Sequence, residues 1–400
     1  MTATTMDQAA TAWPAVERLA KQAREAGADL LVLPEAVYPA YWLESVERYM
    51  QADIERSAAV LARFSKIAAA HRLWLVAGFV EEADGKLYNS AAVIDRSGKL
   101  VGTARKNFLW GSDHRWFAPG DAMSVFDTEF GRLGVLICAD ARVPEIPATL
   151  VHDGAELIVQ PTAWVNISKV RRTYRNIQPD FLIRARAIEF GVPFVCCSKS
   201  GREGTVLEYV GQSLIASADG RVQAQAALGG EELIAAEISP CRPKRLRISP
   251  EQRERLLSRS PAYEASRPGG KCGVKVKLIA EGLESQLRAA GARVVRLPAA
   301  ELDGFAAVRC AALDGVQVVV AEGRLADDTI ARARAAENRV FVITASDRAW
   351  RVIDPDGTVA WRQGDWSDAV ELDLATADLK QFTPETDMWR QRRVECYRFA

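Results

Sequence analysis

The chain has 400 residues, 48% of them hydrophobic, and its 52 Lys plus Arg balance 52 Asp plus Glu for a net charge of zero. That length supplies core for two domains or one large one. The charge balance excludes a general binder of nucleic acid or anionic membrane, which would carry a basic excess or stripe. No apolar stretch reaches the length of a membrane span, and the N-terminus MTATTMDQAATAWP lacks a signal-peptide pattern. Seven scattered cysteines fit a reducing compartment better than a disulfide framework, so a soluble, cytoplasmic protein is expected.

In chain order, residues 13–27 carry apolar side chains at helical spacing and stop at Gly27. DLLVLPEA follows as a short strand broken by Pro34. A helix over 51–71 leads into the strand LWLVAGFV, and YNSAAVIDRSGKLVG reads as two strands turning at Ser97-Gly98. GRLGVLICAD (strand), IPATLVHDGA (helix), ELIVQPTAW (strand) and FLIRARAIEFG (helix) continue the alternation. VPFVCCSKSG, GQSLIASADGRVQAQA and EELIAAEIS close an α/β half over residues 1–240. Residues 241–272 are basic and broken by Pro and Gly, which predicts a linker or surface tail.

Residues 273–400 then repeat the first half in shortened form. AREAGADLLVLPEA (23–36) resembles LRAAGARVVRLPAA (287–300), RARAIEFGVPFVCCS (184–198) resembles RARAAENRVFVITAS (332–346), and SADGRV (217–222) resembles DPDGTV (354–359). Three matches in the same order predict an internal duplication. This alignment sets Ala299 against Glu35, and nothing between 300 and 331 resembles the regions of Lys106 or Cys138, so the second copy is expected to be non-catalytic.

GVLICADARVPE (134–145) is an apolar strand that ends on Cys138 and meets charged residues at once, where α/β proteins collect their chemistry. A thiol hydrolase needs a thiolate, a proton acceptor and oxyanion donors. His71 lies at a helix end and His152 in the helix after the Cys, which leaves His114, in a loop, as the one histidine that could serve. A carboxylate raised toward neutrality by burial can replace His, and Glu35 directly after LLVLP is the candidate. Lys106 likewise follows a strand. Read singly, either charge is an ordinary solvated strand end. No C-x-x-C or H-x-x-x-H spacing exists, so neither a metal ion nor a cofactor is expected.

Taken together, LPEA with Glu35, RKNFL with Lys106, FAPGD (117–121) and the Cys-x-Asp-x-Arg-x-Pro-Glu turn at Cys138 resemble the nitrilase, or carbon–nitrogen hydrolase, superfamily. QPTAW (160–164), RARAIEFGVPF (184–194) and GQSLIASADG (211–220) extend the resemblance over almost all of residues 13–240. It implies an α-β-β-α sandwich, followed by a reduced copy of the same fold. It also implies a Glu35-Lys106-Cys138 triad, with the Ala139 backbone N–H joining Lys106 as oxyanion donor. Asp113 stands at the place of a second acid, one methylene shorter than the usual Glu, and Asn107 where many relatives have His. Tyr41, Trp42, Trp110 and Trp164 are candidate pocket walls, with the core as the plain alternative. Arg142 can brace the turn or meet a substrate carboxylate.

The resemblance implies hydrolysis of a small amide through a Cys-bound thioester, since the turn reads Cys-Ala-Asp where nitrile-cleaving members tend to place Glu. N-carbamoyl hydrolysis, nitrile hydrolysis and acyl transfer are the enzymatic alternatives, and a catalytically silent scaffold is the non-enzymatic one. The expected partner is a small-molecule amide, carbamoyl compound or nitrile, and neither nucleic acid nor membrane. A homo-oligomer or an intrachain pseudo-dimer is the expected assembly. Relatives open with a strand before the first helix. Here either an upstream start or VKVKLIA (274–280) is expected to supply it.

Overall fold

The computed structural model describes residues 1–167, 175–258, 273–277, 283–325, 327–346, 349–362, 369–378, 381–383 and 386–399. The chain divides into two compact units, 1–245 and 246–400.

The first unit opens with α1 (Ala12–Glu25), β1 (Leu30–Val32), α2 (Val46–Gln51) and α3 (Ser57–His71). Three long antiparallel strands follow: β2 (Trp74–Ala83), β3 (Lys86–Ile94) and β4 (Leu100–Arg105). They form a sheet ordered β1-β2-β3-β4, with β1 parallel to β2. In α1 the residues Val16, Leu19, Ala20 and Ala23 share one buried stripe, the spacing that lets a helix lie on a sheet. They meet Phe64 and Ile67 of α3 in a core over the sheet's outer face.

The second sheet uses β5 (Ser124–Thr128), β6 (Gly131–Val135), β7 (Leu157–Thr162) and β8 (Phe194–Ser198). A separate hairpin of β9 (Ser200–Glu203) and β10 (Leu207–Val210) intervenes before β11 (Leu214–Ala216) and β12 (Val222–Gln225) complete it. Its order is β12-β11-β8-β7-β6-β5, and β6, β7 and β8 run parallel. Parallel neighbours need crossovers, here α4 (Glu145–His152) and α5 (Ile183–Phe190), which lie against β6 and β11. On the other face β1 and β2 contact β7 and β8. The result is the expected α-β-β-α sandwich.

Beyond its pairing with β2, β1 borders a groove of about 600 Å³ lined by Leu31, Leu157, Cys196, Ile215, Leu233 and Ala235. The first part of VKVKLIA, β13 (Gly273–Lys277), pairs antiparallel with Ala369–Asp373 of the second unit, and residues 278–280 lie outside the described residues.

The second unit begins with α6 (Pro250–Leu257), whose N-terminus is closed by a Ser249–Gln252 capping box. Part of the stretch expected to be a linker is therefore helical. Residues 259–272 lie outside the described residues. After β13 come α7 (Leu283–Ala289), β14 (Val294–Pro298), α8 (Ala306–Leu313), β15 (Val318–Glu322) and α9 (Asp328–Asn338). The chain then runs through β16 (Phe341–Ser346), β17 (Ala349–Ile353), β18 (Val359–Arg362), β19 (Ala369–Asp373) and α10 (Leu374–Asp378).

Strands β14-β15-β16-β17-β18 have the order and senses of β6-β7-β8-β11-β12. Individual hydrogen bonds recur as well. Arg186 Nε donates to the Ala141 carbonyl at 2.9 Å and Arg334 Nε to the Leu302 carbonyl at 2.8 Å. Each arginine pairs with a glutamate three residues on, Glu189 or Glu337. Arg184 Nε reaches the Gly220 carbonyl at 3.0 Å and Arg332 Nε the Gly357 carbonyl at 2.8 Å.

These correspondences place Ala299, first residue of the 3₁₀ turn Ala299–Leu302, where Cys138 opens the turn Cys138–Arg142. Alignment of residues alone set Ala299 against Glu35. Short Ala- and Arg-rich strand–proline segments resemble one another, and only the pairing partners tell β14 from β1.

Candidate active site

Three strand ends converge. Glu35 follows β1 across Pro34, Lys106 follows β4 directly, and Cys138 lies three residues past β6. Gly78 on β2 lets the Glu35 turn approach: its N–H donates to the Pro34 carbonyl, and a Cβ there would lie 2.5 Å from that oxygen and 2.6 Å from Glu35 Cα. Lys106 is tied on both sides, its N–H to the Asn89 carbonyl at 2.8 Å and its carbonyl to the Gly120 N–H at 2.7 Å.

The charged groups are fully enclosed. Lys106 Nζ donates to Glu35 Oε1 and pairs with Asp113 Oδ2, both at 2.7 Å, with every side chain 0% exposed. Burial alone would lower the lysine's pKa, but Asp113 and Glu35 outweigh it and hold the ammonium well above its ordinary value. Asn89 Nδ2 donates to the same Glu35 Oε1 at 2.7 Å. Glu35 Oε2, equally buried, has no hydrogen-bond partner. Asp113, the expected second acid, thus sits on the lysine and also accepts the Trp110 N–H at 2.9 Å.

The turn around the thiol is held by Asp140. Its Oδ1 accepts the N–H groups of Asn107 and Phe108 at 3.1 and 2.7 Å, and its Oδ2 that of Ile137 at 2.9 Å. One carboxylate therefore fastens the Lys106 loop to the Cys138 turn. Burial pushes its pKa up to about 7 against the pull of those N–H groups and Lys106. Cys138 takes φ +47°, a left-handed conformation rare for a residue with a Cβ. Burial first, then the charge of Glu35, push its thiol up to about 12, while Lys106, the Thr162 side chain and the Ala163 backbone pull the other way. The Cys138 thiol, raised in this way, lies beside the Glu35 carboxyl group and the Lys106 ammonium.

His114 is exposed on the 3₁₀ turn Gly111–Arg115 and His71 meets Glu17 at 3.0 Å, so the carboxylate and lysine, rather than a histidine, surround the thiol. Among the described residues no three His, Cys, Asp or Glu form a group that could hold a metal ion. No helix among them is long and apolar enough to cross a membrane.

The carbon-nitrogen hydrolase family model matches residues 2–247. The chain belongs to that family. An omega-amidase of Xenopus laevis is 32% identical over 232 residues, covering 55% of this chain and 80% of the relative. A nitrilase of Pyrococcus abyssi is 34% identical over 227 residues, covering 56% and 81%. An N-carbamoylputrescine amidase of Arabidopsis thaliana is 28% identical over 247 residues, covering 58% and 82%. In three dimensions the chain is similar to an amidase of Nesterenkonia sp., with a TM-score of 0.50 at 24% identity over 57% of this chain and 84% of that one.

The remaining candidate residues of this carbon–nitrogen hydrolase fall into two groups. Tyr41 carries the Lys106 ammonium 5.5 Å from its ring centroid and meets Tyr209 edge-on at 6.4 Å. Burial pushes both phenols well above their ordinary pKa, so they stay neutral. Trp164 is wholly buried, with its backbone N–H donating to Ser198 Oγ at 3.2 Å. By contrast, Trp42 packs edge-on against Trp116 at 4.9 Å in a separate apolar cluster. Arg142 lies with its guanidinium over the Trp110 ring, 4.3 Å from the centroid, a cation–π contact.

Sequence reasoning missed Asn89, Gln160, Gln178, Glu203 and Tyr209. A signal existed for two of them: Asn89 and Gln160 are lone amides inside the apolar strands YNSAAV and LIVQPT. Glu203 left none, yet its carboxylate accepts the Trp42 N–H at 2.6 Å and the Tyr209 hydroxyl at 2.8 Å beside Lys199.

Proposed function

We propose that the first unit hydrolyses the carbon–nitrogen bond of a small amide through a thioester on Cys138, releasing ammonia or an amine. The observation that carries this reading is the split environment of Glu35. One oxygen is bound by Asn89 and Lys106, and the other, Oε2, is buried without a partner beside a thiol that is protonated at rest.

Glu35 takes the thiol proton as sulfur attacks the carbonyl carbon, then passes it to the departing nitrogen. The oxyanion is met by the Lys106 ammonium and the Ala139 N–H, charge-assisted donors already in place in a dry site. Water, activated by Glu35, then cleaves the thioester. Asp113 keeps the lysine charged and fixed. Amide substrates fit the Cys-Ala-Asp turn. Carbamoyl compounds and nitriles would enter the same cycle, the latter without an amine leaving group in the first step.

The second unit is proposed to be a non-catalytic copy of the Cys138-bearing layer, because Ala299 stands at the nucleophile's position. The test is intact-mass spectrometry after incubation with separate pools of amides, carbamoyl compounds and nitriles. An acyl adduct on Cys138 names the acyl group, and Cys138→Ala should show neither adduct nor turnover. Turnover by Cys138→Ala above a trace would overturn the triad.

A further inference from the structure

Cys138 adopts its left-handed conformation at the mouth of a turn, and something must hold it there. Asp140 fixes the N–H groups before and beside the nucleophile, but none of its bonds reaches the peptide that follows the thiol. That peptide is held from β7. Gln160, wholly buried mid-strand, donates from Nε2 to the Cys138 carbonyl at 2.6 Å and to Gln178 Oε1 at 2.8 Å. With the Gln178 amide turned over, its nitrogen reaches the same carbonyl at 2.9 Å and its oxygen accepts from Trp164 Nε1 at 3.3 Å. In either orientation a buried side-chain amide grips the Cys138 oxygen.

The carbonyl of residue 138 and the N–H of residue 139 belong to one planar trans peptide and point in opposite directions. Holding the oxygen therefore fixes where the hydrogen points. Ala139 lies in the first turn of the 3₁₀ helix Cys138–Arg142, where N–H groups have no carbonyl one turn back to bind. Its N–H is available to a ligand, and its aim depends on the grip on the other side of the peptide.

We propose that Gln160 is a positioning residue for the oxyanion site: by holding the Cys138 carbonyl it directs the Ala139 N–H at the oxygen that becomes negative during acyl transfer. With its Oε1 toward β7, Gln178 orients the Gln160 amide by accepting from Nε2. The inference rests on Cys138 as nucleophile. It also accounts for an amide in the middle of LIVQPT, where a lone polar side chain inside a buried parallel strand is otherwise unfavourable.

The test uses the full chain, the amide that it turns over best, the aldehyde of the same acyl chain as a reversible oxyanion-forming inhibitor, and methyl methanethiosulfonate as a thiol reagent with no carbonyl. Gln160→Met keeps the length and removes the donor. It should lower kcat about 10- to 100-fold, below the full loss of an oxyanion donor, and weaken aldehyde inhibition by a similar factor. KM should change little, and the rate of methanethiosulfonate modification at Cys138, followed by mass, should stay that of the parent.

Gln160→Glu guards against a folding defect. A carboxyl donates only when protonated, so its activity relative to the parent should rise as pH falls. Unchanged kcat in Gln160→Met, a thiol-labelling rate that falls with kcat, or a flat pH ratio in Gln160→Glu would each overturn the proposal. Turnover by Cys138→Ala would instead overturn the nucleophile assignment on which it stands.

Discussion

Glu35 presents one satisfied oxygen and one unsatisfied oxygen to the same buried space, and that asymmetry suits a base better than a structural ion. Glu35→Gln preserves shape while removing the proton acceptor, so kcat should fall about 10²- to 10⁴-fold, with substrate binding little changed in equilibrium measurements on a slow variant. The thiol makes a second, independent claim. Its pKa is raised from 9.0 to about 12, so the neutral form dominates at every pH below that value. The difference spectrum between the parent and Cys138→Ser should therefore show no ultraviolet thiolate band from about pH 6 to 9, unlike thiols activated by an adjacent cation. A band growing in through that range would mean a preformed thiolate, and Glu35 would lose its role in the first step.

At the level of elements, the active site depends on backbones approaching where no side chain fits. Gly78→Ala would drive a Cβ to 2.5 Å from the Ala36 nitrogen and the Pro34 oxygen. Overpacking of this kind costs about 1–3 kcal/mol, and here it also displaces the Glu35 turn. Melting should drop by several degrees and activity by more than about tenfold. Gly304→Ala, whose new Cβ meets nothing within 4 Å, should change neither. Positions such as Gly78 were invisible in the sequence, because GFV in a strand looks like any glycine in an apolar run. The sandwich and the conjunction of Glu35, Lys106 and Cys138 were legible, since strand-end charges and the Cys turn occur in fixed order. Ala299 shows the opposite failure. Its segment reads like the Glu35 strand, but β14 pairs as β6 does, and pairing partners are set by contacts distant in sequence. Cys138 is held at positive φ, whereas Ala299 is not among the positive-φ residues, so the strain accompanies the thiol and not the turn.

For the molecule as a whole, each unit has its own apolar core, Leu75 and Phe79 among others in the first and Val318 and Ile343 in the second. Separate cores make separate unfolding transitions the expectation. In a urea titration followed by hydrogen exchange, activity should disappear in step with protection of β2 and β7, whatever happens to β15 and β16. Loss of turnover while β2 and β7 stay protected would show that the site loosens locally. The placement of the three side chains proposed to react has a consequence for folding. Glu35, Lys106 and Cys138 leave three different strands, and no hairpin or helix holds two of them. A nascent or half-closed chain therefore has no fraction of the catalytic power. It has none at all until residues a hundred positions apart meet. Turnover per milligram then counts molecules whose sandwich has closed, and an active-site titration of Cys138 serves as a census of correctly folded protein in any preparation.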